Sequence, residues 1–506
     1  MKKCLFVLMA AFLVYLVAGC SGAFDATLVP LDSDQDNGMV SGETGSEDAE
    51  NGAANGDNGT ANGDNGDGGA PQPGELREPA AFDPAITNAF IQQEKLPFLF
   101  DNNSVFADED IYIAIVGKRL NSNEPVWLDA ATNTLNPINS SYNTIDAPAH
   151  VPAGMQDWKF ADFFTPLSEI QANIVAFPPI HGGKMYIAFE QPLYFHFFDD
   201  GGYAAPDLNN PDDASRGIRF EVAEFSWTQF GLWVNHSRVD AYQYPMAVEI
   251  WGDNGGSHGD DFYRKVGELL PHDYILQLWQ NTVSEPFQPS YRPLDDGLGG
   301  RILQPSKIPQ FKDPNKPHSP QEDYGIYFDY FDDYVNAVWD KYQSETLRVH
   351  FGDLGLWEGS VQGDVFVMNG PQGQQGRIEG RPDTQEVIEG KYRLAQGGEN
   401  DKNVQKFFSA SFNRGVIDLD AEDGAIQNWA NSDFYFQTDN HPAAVHNEYV
   451  EFWHNSDISY RSETYAFAYD DVYEHSSTLQ VNEPERVRIT IGGFWGLTME
   501  PNRSDY

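Results

Sequence analysis

Period-two alternation of apolar and polar side chains, carried by aromatic and β-branched residues, dominates the chain from about Phe90 onward and commits that part to strands. DIYIAIVG (110–117), KMYIAFEQPLYFHFF (184–198) and RFEVAEFSW (219–227) are each bounded by Gly, Asn, Asp or Pro. In AEFSWT (223–228), Ala223, Phe225 and Trp227 fall on one face and Glu224, Ser226 and Thr228 on the other, so Glu224 points away from the core. After residue 251 the spacing changes. GDDFYRKVGELLP reads as a helix, with Phe262, Val266, Leu269 and Leu270 on one side and Ser257 and Asp260 as caps. FDYFDDYVNAVWDKY predicts a second helix through the stripe Phe331, Tyr334, Val335, Val338 and Tyr342, read as core packing. Strands return at 346–368. Helices follow at NVQKFFSASFNRG, ended by Gly415, and after Pro442 in PAAVHNEYVEFWHN. TYAFAYDD and RVRITIGGF revert to strand character. The implied chain is mainly β: one sandwich, split into 79–250 and 456–506 by an inserted mixed α/β domain at 251–455.

Charge narrows the partners. The 506 residues hold 77 acidic against 31 basic side chains, a formal net charge of −46, and such a field repels phosphate backbones and anionic head groups. Nucleic acid is excluded as a partner on this ground, whereas a neutral polysaccharide is neither attracted nor repelled. The first twenty residues, MKKCLFVLMAAFLVYLVAGC, read as a signal peptide, their apolar run being too short for a comfortable membrane span. The ending V-A-G-C resembles the lipobox of bacterial lipoproteins. That implies cleavage before Cys20, lipid on its thiol, and an exported lipoprotein at the cell surface or outer membrane of a bacterium, touching the membrane through this anchor alone. An ordinary secreted protein with an incidental cysteine is the alternative. Cys4 and Cys20 are the only cysteines, so the head rests on its core without a disulfide. Residues 21–78, acidic and rich in Gly, Asn and Asp, read as a disordered tether with a mean span of about 45 Å.

Glu224 and Asp240 are the candidate chemistry. A turn centred near 231–233 would bring Asp240 within about two residues of Glu224 across a hairpin, and such same-face neighbours lie roughly 7–8 Å apart. That separation admits the water that an inverting glycosidase places between base and sugar. A tighter turn near Gln229 would set them too far apart.

Two stretches, AEFSWTQFG with VDAYQYPM (223–231 and 239–246) and ETYAFAYDDVYEHSSTL (463–479), resemble the acidic-cleft segments of thaumatin-like proteins. Together with GGKMYIAF (182–189), APDLNNPDDAS (205–215) and FWHNSDISYRSETYAFAYDDV (452–472), they make the chain from about Phe90 to Gly493 similar to glycoside hydrolase family 64, the bacterial endo-β-1,3-glucanases that release laminaripentaose. The resemblance implies a thaumatin-like β-sandwich whose insert walls a wide cleft for β-1,3-glucan. It implies Glu224 as general acid, Asp240 as general base, and Ser226, Thr228, Trp233 and Ser237 at sugar subsites. Asn235 stands where plant thaumatin-like proteins carry another cleft aspartate. Asp470 or Asp471 matches the last acidic position, at least one of the two serving a turn or cap instead. Ala188 departs from the plant pattern by replacing an arginine. Neither metal nor cofactor is implied, and a monomer is expected. The rival is a glucan-binding surface lipoprotein with this fold and no turnover.

Three weaker signals have ordinary readings. GGSHG (255–259) matches an esterase elbow, but the preceding strand ends too early at Trp251. DLDAEDG (418–424) imitates a calcium loop but has Trp429 in its twelfth place. His236 has no second histidine at ligand spacing and reads as a packing or cleft-rim residue.

Overall fold

The alternating stretches fold as Ile111–Arg119, Ile180–Phe189 and Phe220–Thr228, which lie antiparallel side by side. The computed structural model describes residues 76–253, 262–315, 323–438 and 441–499. Cys4, Cys20, the acidic tract to residue 75 and the GGSHG run lie outside the described residues.

Those three strands form the middle of an eight-stranded sheet, extended on one side by Gly231–His236 and Leu479–Val481 and on the other by Pro125–Asp129 and Thr134–Pro137, with Thr165–Pro166 as the eighth strand, paired to Ile111–Arg119. A five-stranded sheet packs against it, ordered Phe262–Gly267, Met246–Asp253, Glu483–Ile491, Leu96–Asn102 and Ile174–Phe177. Inward residues of both sheets share one core: Met185, Ile187, Ala223, Phe225, Leu232 and Val234 meet Phe98, Val248, Ile250 and Ile489. Burial of each such side chain is worth about 1.5–3 kcal/mol. The alternation thus fixes which face of the Phe220–Thr228 strand enters the core, and Glu224 is left on the other face. Gly183 makes room for this arrangement. It stands directly opposite Phe225, and a Cβ there would lie 2.4 Å from the Phe225 ring.

Between the Phe262–Gly267 strand and Leu479 the chain builds a second body. Its core holds Trp279, Trp339, Trp357, Trp429 and Trp453, all closed to solvent. A five-stranded sheet runs Gln375–Ile378, Val365–Asn369, Leu356–Gln362, Leu347–His350, Ile426–Gln427; the helix Asp332–Lys341 is amphipathic as the spacing predicts, whereas Glu399–Arg414 is buried on all sides from Phe407 onward. Phe331, Tyr334, Val335, Val338 and Tyr342 are all core residues, and Gly415 ends the Glu399–Arg414 helix. Ala241–Tyr242 pairs with Gly300–Leu303, so the chain enters this body first at residue 241, returns to the sandwich, and leaves again after Gly267.

Four expectations change. Phe262–Gly267 is a strand, not a helix, and carries the sandwich past the boundary expected at 250. Its residues mix apolar and charged groups on both faces, with Val266 in the sandwich core and the Lys265 ammonium 4.8 Å from the Tyr460 ring centroid, so no period of two is visible. TYAFAYDD forms turns, because Asp470 turns back to accept the Ala466 N–H (2.7 Å). Ile458, Ala466, Phe467 and Val472 belong to the second body's core, which moves the return to the sandwich from 456 to about 479. The helix expected after Pro442 begins only at Glu448, capped by Asn447.

Candidate active site

The hairpin turn falls at Gln229 and Phe230, two residues earlier than the wide-turn reading placed it: Thr228 pairs with Gly231, Ser226 with Trp233, and Glu224 with Asn235. Gly231 is not the turn. It carries a positive φ (118°), and a Cβ there would lie 2.3 Å from the Val481 carbonyl oxygen, so this glycine serves the close approach of the neighbouring strand. Asp240 is therefore not a hairpin partner of Glu224, which corrects that expectation. It lies beyond the end of the Gly231–His236 strand, on the crossing into the second body, where its carbonyl accepts the Gln304 N–H (3.0 Å).

Each of the two carboxylates has its own cation, Lys184 for Glu224 and Lys307 for Asp240. Lys184 stands directly across from Glu224 on the adjacent strand, with its Nζ 2.9 Å from Glu224 Oε1. The Glu224 carboxylate is the main reason the Lys184 ammonium is held charged far above its ordinary range, and Asp240 adds to the effect. Tyr186, on the same face as Lys184, has its hydroxyl pushed up first by burial and by Tyr203, then by both Glu224 and Asp240. The Glu224 side chain is 12% exposed, and its Oε2 has no hydrogen-bond partner. Asn235, its cross-strand neighbour, likewise leaves Oδ1 without one.

Asp240 is in the opposite condition. It is 57% exposed, and Lys307 Nζ lies 2.7 Å from its Oδ1. Partial desolvation pushes its pKa up, but Lys307, with Lys184 and Lys391 farther off, outweighs this and holds the carboxyl below the usual aspartate range.

A buried ionic knot ties together the segments that carry both groups. Arg238, closed to solvent, bonds Glu268 through Nε (2.8 Å) and Nη2 (2.9 Å), and bonds Glu221 through Nη1. Glu221 sits three residues before Glu224 and also accepts the N–H groups of Gln243 (2.7 Å) and Tyr244 (2.6 Å), which follow Asp240. The second body holds the same segment: Tyr449 Oη donates to the Arg238 carbonyl (2.6 Å), and the Arg238 N–H donates to the Tyr465 carbonyl (2.8 Å). His236 is fully buried within hydrogen-bonding distance of Glu268 (3.2 Å), so it packs and forms no rim.

The remaining candidates divide. Trp233, Ser226 and Thr228 share the Glu224 face and are partly exposed, the hydroxyls of the last two accepting the Gly182 and Phe230 N–H groups (3.0 and 3.1 Å). Ser237 follows on the segment toward Asp240, and its N–H donates to the Val222 carbonyl (3.1 Å). Asp470 is corrected: it is fully buried, paired with Arg414 (3.0 Å) and bonded to His454 (2.9 Å), so it holds the second body together and does not face sugar. Asp471 is half-buried, and burial pushes its carboxyl up. The Tyr465 hydroxyl, raised chiefly by its own burial, feels Asp471 and then Glu224. Sequence reasoning missed Lys184, Tyr186, Tyr203, Lys307 and Tyr465. A signal existed only for Lys184, a single cation on the polar face of a strand whose other face is Met185 and Ile187. A cavity of about 420 Å³ between Phe82, Trp251 and Arg486 shares no residue with this cluster.

A family model described as β-1,3-glucanase, glycoside hydrolase 64, matches residues 94–491. The chain belongs to this family. Among solved structures, this family 64 chain is similar to a β-1,3-glucanase domain from Clostridium beijerinckii, 30% identical with a TM-score of 0.65, over 79% of this chain and 98% of that one. A laminaripentaose-producing β-1,3-glucanase in complex with laminaritetraose shares the fold at 23% identity and a TM-score of 0.58, over 79% of this chain and 98% of that one. A glucan endo-1,3-beta-glucosidase of Arthrobacter sp. (strain YCWD3) is 27% identical over 63% of this chain. The chain spans about half the length (53%) of that relative.

Proposed function

We propose that the chain cleaves β-1,3-glucan internally, releasing short laminari-oligosaccharides with inversion at the anomeric carbon. The observation that carries the proposal is a pair of carboxylates in unlike surroundings, Glu224 enclosed against Lys184 and Asp240 exposed against Lys307. In this reaction Glu224 gives a proton to the glycosidic oxygen, while the exposed Asp240 carboxylate, kept ionised by Lys307, deprotonates a water on the other face of the sugar. With Asp470 tied to Arg414, Asp471 is the remaining carboxylate for the positive charge that develops on the ring. Trp233 offers a flat apolar face to a pyranose, with Ser226, Thr228, Asn235 and Ser237 as hydroxyl partners. Family membership and the named activities of the relatives support this reading. From the V-A-G-C ending of the first twenty residues we further propose an exported lipoprotein held at a membrane by lipid on Cys20, acting as a monomer.

Glu224→Gln and Asp240→Asn each remove one half of the proton relay, a contribution of about 10²–10⁴ in rate. Reducing-sugar release from laminarin should fall by that order in both while circular dichroism stays unchanged. Near-parent activity in either variant rejects the assignment. Wild-type protein that sediments with curdlan yet releases no sugar would instead favour a binding module. Cys20→Ser should move the protein out of the membrane fraction, and continued sedimentation with membranes refutes the anchor.

A further inference from the structure

The outer face of the five-stranded sandwich sheet lies on the opposite side of the sandwich from Glu224. Met246, Val248 and Ile250 enter the core together with Val487, Ile489 and Ile491, so Trp251, Arg486 and Arg488 point away from it. The chain from Glu78 to Asn88 lies over these three side chains, held down where Arg488 donates to the Ala80 carbonyl (3.2 Å) and where Arg77 pairs with Asp101 (3.0 Å). Between this crossing and the sheet is the cavity of about 420 Å³, a volume within the range of small-molecule sites.

We propose, resting on the glucan reading above, that this cavity is a second, non-catalytic saccharide-binding site, which holds a short stretch of the polymer on one side of the sandwich while the cleft works on the other. Its walls carry the argument. Phe82 and Trp251 meet edge to face with ring centroids 5.7 Å apart and give the cavity an aromatic wall. The Arg486 guanidinium lies over both rings (5.5 and 5.2 Å), and its nearest carboxylate is Glu485 at 4.0 Å, so among the described residues its N–H donors have no acceptor at hydrogen-bonding distance. Thr87 lines the same cavity, is 5% exposed, and leaves Oγ1 without a partner, a state that costs a buried hydroxyl free energy until a ligand bonds to it. Glu78 and Asn88 add a carboxylate and an amide at exposed positions.

The mixture of signs selects the ligand. Arg488 takes no part, because Glu249 holds its guanidinium through two bonds (2.6 and 2.8 Å). That leaves one guanidinium and one carboxylate. Glu78 opposes an anion and Arg486 opposes a cation, whereas the hydroxyls of a neutral sugar ring donate to the first and accept from the second. The formal net charge of −46 further disfavours an anionic polymer. A second contact to the same polymer particle strengthens retention without any change in the cleft, because the second binding event is intramolecular.

The test separates binding to insoluble polymer from turnover of soluble polymer. Ala81→Trp fills the cavity from an exposed position, Arg486→Leu removes the guanidinium, and Thr87→Val removes only the hydroxyl. Depletion isotherms on curdlan, run on ice, should weaken by about tenfold or more in the first two variants. Thr87→Val, which loses one neutral hydrogen bond, should weaken by about 2- to 12-fold. The kcat/KM on soluble laminarin should stay at the wild-type level in all three. Thr87→Val also deletes a buried hydroxyl that has no partner, so its Tm should hold or rise, and weaker binding in a protein no less stable is not a folding defect. Curdlan isotherms that match the wild type in Ala81→Trp and Arg486→Leu, or laminarin turnover that falls in step with binding, overturn the site. A thermal shift with inorganic phosphate that Arg486→Leu abolishes marks an anion site and overturns it as well. The two readings fail separately. Wild-type protein that cleaves laminarin, with variants that hold curdlan as it does, sinks the cavity alone; wild-type protein that releases no sugar, with variants that lose curdlan, sinks the cleavage reading alone.

Discussion

Arg238→Met removes the centre of the ionic knot beneath the site, and its consequence can be worked from the contacts. The guanidinium makes two bonds to Glu268 (2.8 and 2.9 Å), one to Glu221 and one to the Tyr244 carbonyl (3.2 Å), and all of these groups are buried. After the change Glu268 keeps the Met246 N–H (2.7 Å) and His236, and Glu221 keeps two backbone N–H groups, but both lose their counter-charge. Breaking a buried pair from one side costs about 3–5 kcal/mol. At about 2.1 cal/mol/K of unfolding entropy per residue, over a body of roughly 400 residues, that loss lowers Tm by about 4–6 °C. The pH dependence is diagnostic. Burial pushes the Glu268 carboxyl up, but Arg238 and then His236 overcome this and hold its pKa at about 2, below its unfolded value. In the wild type this stability is present above the unfolded pKa and is lost as pH falls toward 2. Without Arg238 the folded pKa rises, so the variant binds protons that the wild type does not, and its deficit shrinks as pH falls. Thermal unfolding followed by near-UV circular dichroism at pH 7 and pH 4 should show the larger gap at pH 7. A Tm loss under about 1 °C, or one equal at both values, refutes the reasoning.

Lys307→Met should raise the Asp240 pKa and move only the acid limb of the pH–rate profile upward, since Lys307 contacts Asp240 and not Glu224; an unmoved acid limb counts against Asp240 as the base. Gly183→Ala should destabilise the sandwich by about 1–3 kcal/mol through the 2.4 Å clash with Phe225, read as a lower urea midpoint, and a neutral result would deny the tight packing at that pair. Asp470→Asn should lower stability by about 3–5 kcal/mol by uncovering Arg414, whereas Asp471→Asn should keep Tm within about 2 °C and lower kcat/KM. The opposite pattern in melting and laminarin assays would exchange their roles.

The sandwich was legible wherever one face of a strand meets the core and the other does not. Ala223, Phe225 and Trp227 against Glu224, Ser226 and Thr228 is such a case, and the core uses it as written. Legibility failed where both faces are covered. Phe262–Gly267 lies between the sandwich core and the Tyr460 ring, and TYAFAYDD is enclosed by the second body, so neither shows the alternation that separates strand from helix or turn. The sequence left the hairpin turn open between 231–233 and Gln229, and the structure takes the Gln229 alternative, with Gly231 admitting the Leu479–Val481 strand. Lys307 and Lys391 reach Asp240 from distant parts of the chain, and no local pattern announces contacts of that range.

Proton NMR of the anomeric region during the first minutes of laminarin cleavage addresses the two-carboxylate mechanism most directly. If Glu224 protonates the leaving oxygen while Asp240 drives a water from the opposite face, the new reducing ends appear first as the α-anomer and reach the equilibrium mixture only by mutarotation. A β-anomer that accumulates first would show retention, which requires a covalent intermediate and contradicts the assigned roles of both residues.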